Sequence, residues 1–189
     1  MKKIAPVFKS WFAYATAITL VCGIIYVTVQ QSYRTSANDP QLQMAEDAAN
    51  AISKGAAPKT VIGAATPVEI SESLSPYLVI YDSAGNMVAS NASLNGAPLR
   101  IPKGVVDYVN KYGKDAATWQ PEPGVRQAMV GIRSIGKGFI AFSGRSLRRV
   151  EERISILGEQ VALGWIMSLI GMAVVLFIIN AFTPRSALS

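Results

Sequence analysis

Residues 144–182 read GRSLRRVEERISILGEQVALGWIMSLIGMAVVLFIINAF, a stretch without a proline that begins among charges and ends as continuous apolar sequence. Leu147, Val150, Ile154, Leu157, Val161, Gly164, Ser168 and Gly171 recur alternately three and four residues apart, which is the spacing of a heptad seam on one helix. Arg148, Arg149, Glu151, Glu152 and Arg153 flank the first half of the seam. In the second half it turns to small residues, which let helices approach closely in lipid, where burying a leucine gains nothing over leaving it among the acyl chains. The seam therefore predicts a helix that leaves water, enters a membrane and packs on another helix, either the chain's own first span, a second copy or a partner.

The membrane part of that helix is residues 161–179, nineteen positions without a charge, and a second uncharged run of nineteen covers residues 11–29. Each makes a helix of about 28 Å, close to the ~30 Å hydrocarbon core of a bilayer. Half of the 189 residues are hydrophobic, and the excess sits in these two runs. The expected organisation is a cytoplasmic tail at 1–10, a span at 11–29, an extracytoplasmic domain with juxtamembrane helices at 30–160, a span at 161–179 and a second cytoplasmic tail at 180–189. Lys2, Lys3 and Lys9 precede the first span and Arg185 follows the second, so positive charge places both termini inside. All twelve acidic residues fall between the spans, against fourteen Lys plus Arg, so that segment carries only +2 of the overall +6. The basic balance is a topogenic signal and gives no ground for nucleic-acid binding. A cleaved signal peptide ending near Thr35-Ser36-Ala37 is the rival reading of the first run, opposed by its length and by the distance to the cleavage site.

Between the spans, Asn38-Asp39-Pro40 predicts a helix start with Asp39 as cap and Pro40 at the first helical position. The helix is expected over 40–54, with Leu42, Ala45, Ala49 and Ile52 as its apolar stripe and Gly55 as its stop. Residues 56–66 read as loop, with Thr60-Val61-Ile62 as a short edge strand. Tyr77-Leu78-Val79-Ile80-Tyr81 and Met87-Val88-Ala89-Ser90 flank the turn Asp82-Ser83-Ala84-Gly85-Asn86 and predict a β-hairpin. Pro102-Lys103-Gly104 opens a short helix with Val105, Tyr108, Val109 and Tyr112 on one side, closed by Gly113. Strands follow at 117–120, 125–132 and 138–144, joined by Pro121-Glu122-Pro123-Gly124 and Ser134-Ile135-Gly136-Lys137.

The phrase from Tyr81 through Asp82-Ser83-Ala84-Gly85-Asn86 to Ser90, set between an approaching helix, a short central helix, three meander strands and an exit helix, resembles the PAS-like extracytoplasmic sensor modules of the Cache type found in two-pass bacterial receptors. The resemblance covers about residues 36–155. It implies an α+β fold with a five-stranded antiparallel sheet, a long first helix on one face, and a ligand pocket on the other face roofed by the central helix. It also implies a sensor in the plasma (inner) membrane. Such receptors carry a cytoplasmic output domain; ten residues follow residue 179 here, so signalling is expected to run through a partner or homodimer held by the 147–171 helix. An assembly or scaffolding subunit using the same seam is the alternative.

The chain contains no histidine, and its only cysteine, Cys22, lies inside the first span. Histidine-based triads, thiol catalysis and the usual zinc sites are excluded, no phosphate-binding glycine loop is present, and neither an enzyme nor a cofactor is expected. The candidates that remain are pocket residues. Arg126 or Arg133 on the meander strand, beside Tyr81 and Trp119, would suit a small carboxylate because a guanidinium offers a bidentate fork. Lys103, with Arg100, adds positive potential beside the central helix.

Overall fold

The computed structural model describes residues 4–64 and 66–182, with side chains from residue 8. It divides into two compact units, a sheet domain at Tyr33–Glu151 and a helix pair formed by the two ends of the chain. The fold is α+β, with two long apolar terminal helices, α1 (Ile4–Ser36) and α5 (Arg148–Phe182), flanking the sheet domain. Both are long and apolar enough to cross a membrane, and no residue of their apolar windows is fully buried.

In the helix pair α1 and α5 run antiparallel. The Trp11 indole N–H donates to the Leu169 carbonyl at 3.4 Å and the Trp165 indole N–H to the Thr19 hydroxyl at 2.8 Å. A methyl group on Gly158 would stand 3.6 Å from the Tyr26 ring. The half-buried stripe of α5 follows Ile154, Leu157 and Val161 and then continues through Trp165, Leu169, Met172 and Leu176. Gly164, Ser168 and Gly171 lie on its exposed side, and a Cβ on either glycine would meet nothing within 4 Å. The reason is periodic. A strict 3.5-residue seam drifts round a 3.6-residue helix by ~20° per heptad, so the contact line leaves the small residues and follows Trp165. On α1 the matching stripe is Trp11, Ala15, Ile18, Cys22, Tyr26 and Val29.

The sheet domain opens with α2 (Asp39–Ser53) and α3 (Pro58–Ile62), followed by β1 (Val68–Glu69), the hairpin β2 (Tyr77–Tyr81) and β3 (Met87–Ser90), and the short β4 (Ala92–Leu94) and β5 (Ala97–Pro98). Helix α4 (Lys103–Tyr112) and the meander β6 (Lys114–Glu122), β7 (Val125–Arg133) and β8 (Ile140–Ser146) complete it. The five-stranded sheet has the order β3-β2-β8-β7-β6, antiparallel throughout. β8 occupies the centre and is buried on both faces from Ile140 to Gly144, as its apolar sequence requires.

Alternation along the strands assigns two layers. On one face α2 lays Ala48 and Ala49 against Leu78 and Ala141, with Met44, Val61, Ile62 and Ile132 at the margin. On the other, Val106 and Val109 of α4 cover Tyr77, Val79, Tyr81, Met129, Ile140 and Phe142. Each large side chain buried here contributes about 1.5–3 kcal/mol relative to exposure. Two glycines make this second layer possible. Gly131 lies opposite Phe142 and Gly144 opposite Tyr77, and a Cβ at either would fall within 2.9 Å of the facing ring.

Several local expectations need correction. Thr60-Val61-Ile62 is the end of helix α3, not a strand, because Pro58 starts a helical turn after the extended Ala57. Helix α2 begins at Asp39, with Asn38 as an uncapped, helical N-cap whose carbonyl accepts from Leu42 N at 2.8 Å. Its buried line runs through Gln41, Ala45, Ala48, Ala49 and Ile52. On α4 the sheet-facing residues are Val106 and Val109, whereas Tyr108 and Tyr112 are exposed and stack on each other at 4.5 Å. β6 starts at Lys114 rather than residue 117. The small sheet β1-β4-β5 was not foreseen, since two-residue strands carry no periodic signal.

Candidate functional site

The inner face of the sheet, where a roofed pocket was expected, is filled by side chains. Tyr77 and Phe142 are fully buried, and Phe142 meets Tyr81 edge to face at 5.7 Å. The Tyr77 hydroxyl is enclosed with no hydrogen-bond partner among the described residues, and burial pushes its pKa up.

Open space remains at the edge of this layer. A recess of about 400 Å³ lies beneath the first turn of α4, lined by Tyr81, Gly85, Asn86, Met87, Arg100, Ile101, Lys103 and Val106. The β2–β3 turn forms one wall. Gly85 supplies the positive φ of 83° that the turn needs. Asp82 then accepts from Asn86 N at 2.8 Å and from the Asn86 amide at 3.1 Å. These Asn86 bonds hold the Asp82 carboxyl below the ordinary aspartate range.

Tyr81 forms the floor. Its hydroxyl oxygen accepts the Ile101 N–H at 2.9 Å, which leaves the phenolic proton available to a further acceptor. Burial raises the Tyr81 pKa, opposed by the Ile101 amide and the Arg100 charge, so the phenol stays protonated at neutral pH. Lys103 forms an exposed ion pair with Asp107 at 2.7 Å. The Arg100 guanidinium is exposed and has no hydrogen bond or ion pair among the described residues. The polar lining is mixed: Arg100, Lys103 and the Tyr81 O–H supply donors, Asn86 adds its amide, and Lys103 is paired with Asp107.

Of the five residues singled out in the sequence, the structure brings Tyr81 and Lys103 to this recess and spreads the others. Arg126 forms an ion pair with Glu151 at 2.5 Å. Arg133 donates to the Asn110 carbonyl at 2.6 Å, near the end of α4. Trp119 is half-buried against the Tyr77–Phe142 layer. Gly85, Asn86 and Met87 were read from the sequence only as hairpin chemistry. No local pattern marks the folding of that turn against α4.

A broader hollow of about 530 Å³ lies between α2 and α3, lined by residues such as Met44, Asp47, Thr60, Val61 and Leu78. In the helix pair a mostly apolar space of about 310 Å³ is bounded by Thr19, Cys22, Tyr26, Val161 and Trp165. Among the described residues there is no group of three or more metal-ligating side chains.

The start of α5 is tied firmly to the sheet domain. Leu147 is buried and donates its N–H to Arg126 O at 2.9 Å, and Arg148 donates to Glu72 O at 2.8 Å. Together with the Arg126–Glu151 pair, these contacts join the last strand, the meander and the exit helix. The chain matches no protein family, no curated protein and no solved structure.

Proposed function

We propose that this is a two-pass membrane protein with both termini in the cytoplasm, displaying a PAS/Cache-like domain that binds a small anionic ligand, with carboxylates the preferred class. The single observation that carries the ligand is the Arg100 guanidinium, without a hydrogen bond or ion pair among the described residues, beside the protonated Tyr81 hydroxyl at a recess of about 400 Å³. A carboxylate there gains charge-assisted hydrogen bonds from donors that have few competing partners. The five-stranded antiparallel sheet with a long helix on one face and a short helix over the other supports the PAS-like part of the reading.

Binding against the first turn of α4 acts on the layer that β8 also contributes to, and β8 continues into α5. Signalling requires two arrangements of that exit helix with different affinity for the ligand, read by a membrane partner. The filled inner face favours the second reading, an assembly subunit without a ligand, because a core closed by Tyr77 and Phe142 leaves no enclosed chamber.

The deciding experiment is the thermal unfolding of the full chain in detergent against a panel of small mono- and dicarboxylates. A ligand at a hundred times its Kd stabilises the domain by about 2.7 kcal/mol. The shift is expected to vanish in Arg100→Gln and to weaken in Tyr81→Phe. If no carboxylate moves the midpoint, or a shift survives Arg100→Gln unchanged, the recess is not the site and the assembly reading stands.

A further inference from the structure

Strand β6 ends the five-stranded sheet, and among the described residues no strand pairs with its outer edge. At nine residues it is, with β7, the longest strand of the domain, whereas the opposite edge, β3, has four and is flanked by α3. The polarity of its backbone follows from one contact. Arg133 donates its N–H to Gly113 O at 2.8 Å, in the same register that pairs Lys114 with Ile132 and Asp115 with Gly131. In an antiparallel ladder the hydrogen-bonded positions alternate. Residues 115, 117 and 119 therefore face β7, and Lys114, Ala116 and Thr118 turn their N–H and C=O groups outward.

Natural edges are usually blunted by lysine, proline or a bulge. β6 has these only at its ends, Lys114 at the start and Pro121 with a register irregularity between Trp119 and Glu122. Ala116 and Thr118 in the middle are small, uncharged and exposed. We infer that this edge is a dimerisation surface on which β6 of a second copy pairs antiparallel, joining two five-stranded sheets into one of ten strands.

Self-complementarity selects the second copy as occupant. With Ala117 facing Ala117 across a two-fold axis, Ala116 stands opposite Thr118 of the other copy, both in outward hydrogen-bonding positions. These two pairs make about four backbone hydrogen bonds at the centre. Lys114 then faces Gln120 and Asp115 faces Trp119, so no like charges are opposed, a condition that cross-strand stability requires. Helix geometry places Val105, Tyr108 and Tyr112 on one flank of α4, opposite the flank of Lys103 and Asp107. Asn110, turned toward the Lys103 side, contacts Ser83 O beyond β2, so the tyrosine flank overlooks β6. In the dimer the exposed Tyr108 and Tyr112 of the two copies face each other across the axis.

The test uses the full chain in detergent in a Cys22→Ser background. Ala117→Cys is expected to form an interchain disulfide on oxidation, because directly opposed non-hydrogen-bonded residues have Cα atoms about 4.5 Å apart, within disulfide range. Ala89→Cys on the opposite edge is expected not to. In the otherwise unmodified chain, Thr118→Pro removes only an outward N–H, and Ala116→Lys with Thr118→Lys sets lysines opposite one another. Each is expected to lower the dimer fraction about tenfold without unfolding the domain. A chain that stays monomeric, a dimer that survives both edge variants, or an edge occupied by a strand of another protein would each overturn the inference.

Discussion

Gly131→Ala is the substitution whose cost the structure determines most directly. A Cβ at this position would stand 2.4 Å from Phe142 Cε1, 2.7 Å from Phe142 Cδ1 and 2.9 Å from Val109 Cγ2. None of these neighbours has room to retreat: Phe142 and Val109 are fully buried, and the ring is held edge to face by Tyr81. Inserting one carbon into such a site costs about 1–3 kcal/mol, and the double contact on a fixed ring argues for the upper half of that range. At roughly 4 °C per kcal/mol for a domain of this size, the melting midpoint should fall by about 8–12 °C. The companion variant Gly104→Ala adds the same methyl in the first turn of α4, where nothing lies within 4 Å and the backbone is not left-handed. It should be neutral or stabilise slightly, since alanine outranks glycine in helices by up to ~1 kcal/mol. Hydrogen exchange of β7 and β8 amides in the full chain, followed against temperature, reports on the sheet domain alone, whereas near-UV circular dichroism would also read Trp11 and Trp165 of the helix pair. A Gly131→Ala midpoint within two degrees of Gly104→Ala would mean that Phe142 does not cover β7. The inner face would then have space for the enclosed pocket that the filled layer denies.

Three further outcomes follow from individual contacts. Tyr77→Phe should leave stability unchanged or raise it by up to about 1–2 kcal/mol, because it removes a buried hydroxyl without a partner; a loss larger than 1 kcal/mol in denaturant titration would show that the hydroxyl is bonded. Glu69 accepts from Gly96 N and Asn95 N at 3.0 Å and from the Ser71 and Ser93 hydroxyls, and its pKa is lowered from 4.5 to about 2, chiefly by the Gly96 amide. A depressed carboxylate stabilises the fold above its unfolded pKa and loses that contribution as pH falls, so stability should decline between about pH 4.5 and 2, and Glu69→Gln should flatten that limb of the titration. In the helix pair, Gly158→Leu should reduce disulfide formation between Cys22 and Val161→Cys about tenfold, because its side chain runs into Tyr26, whereas Gly164→Leu should not. Equal yields in both variants would refute the observed facing of α5.

The parts of the fold that were legible in the sequence are those with strong periodicity or strong punctuation. The uncharged runs at 11–29 and 161–179 mark α1 and α5. Short apolar runs punctuated by glycine-containing turns mark β2, β3, β7 and β8, and Gly55 and Gly113 close α2 and α4. What was not legible depends on which of two similar faces the tertiary context chooses. Both Val105-Tyr108-Tyr112 and Val106-Val109 are plausible stripes of α4. Only the glycine at Gly131, which admits Phe142 beneath Val109, decides for the second. Gln41 in the buried line of α2 is a similar case, since three alanines and Ile52 below it carry it inside.

The recess beside α4 was half visible for the same reason. Arginines draw attention by type, yet Arg126 and Arg133 serve the sheet's own joints, one to Glu151 and the other to the Asn110 carbonyl. Arg100, which has no such partner among the described residues, stands where two segments distant in sequence meet: the β2–β3 hairpin and the chain entering the first turn of α4. A cation already committed to a structural partner has to exchange that bond for any ligand, and the net gain is small. One without a partner gains the whole charge-assisted bond less its dehydration. By that criterion the distinction between Arg100 and the other two is one of uncommitted donors rather than of position in the sequence. Replacing Arg126 should therefore loosen the attachment of α5 while leaving carboxylate affinity within about twofold. Replacing Arg100 should do the reverse, and the pair of measurements separates the proposed ligand recess from the joint proposed to carry its signal.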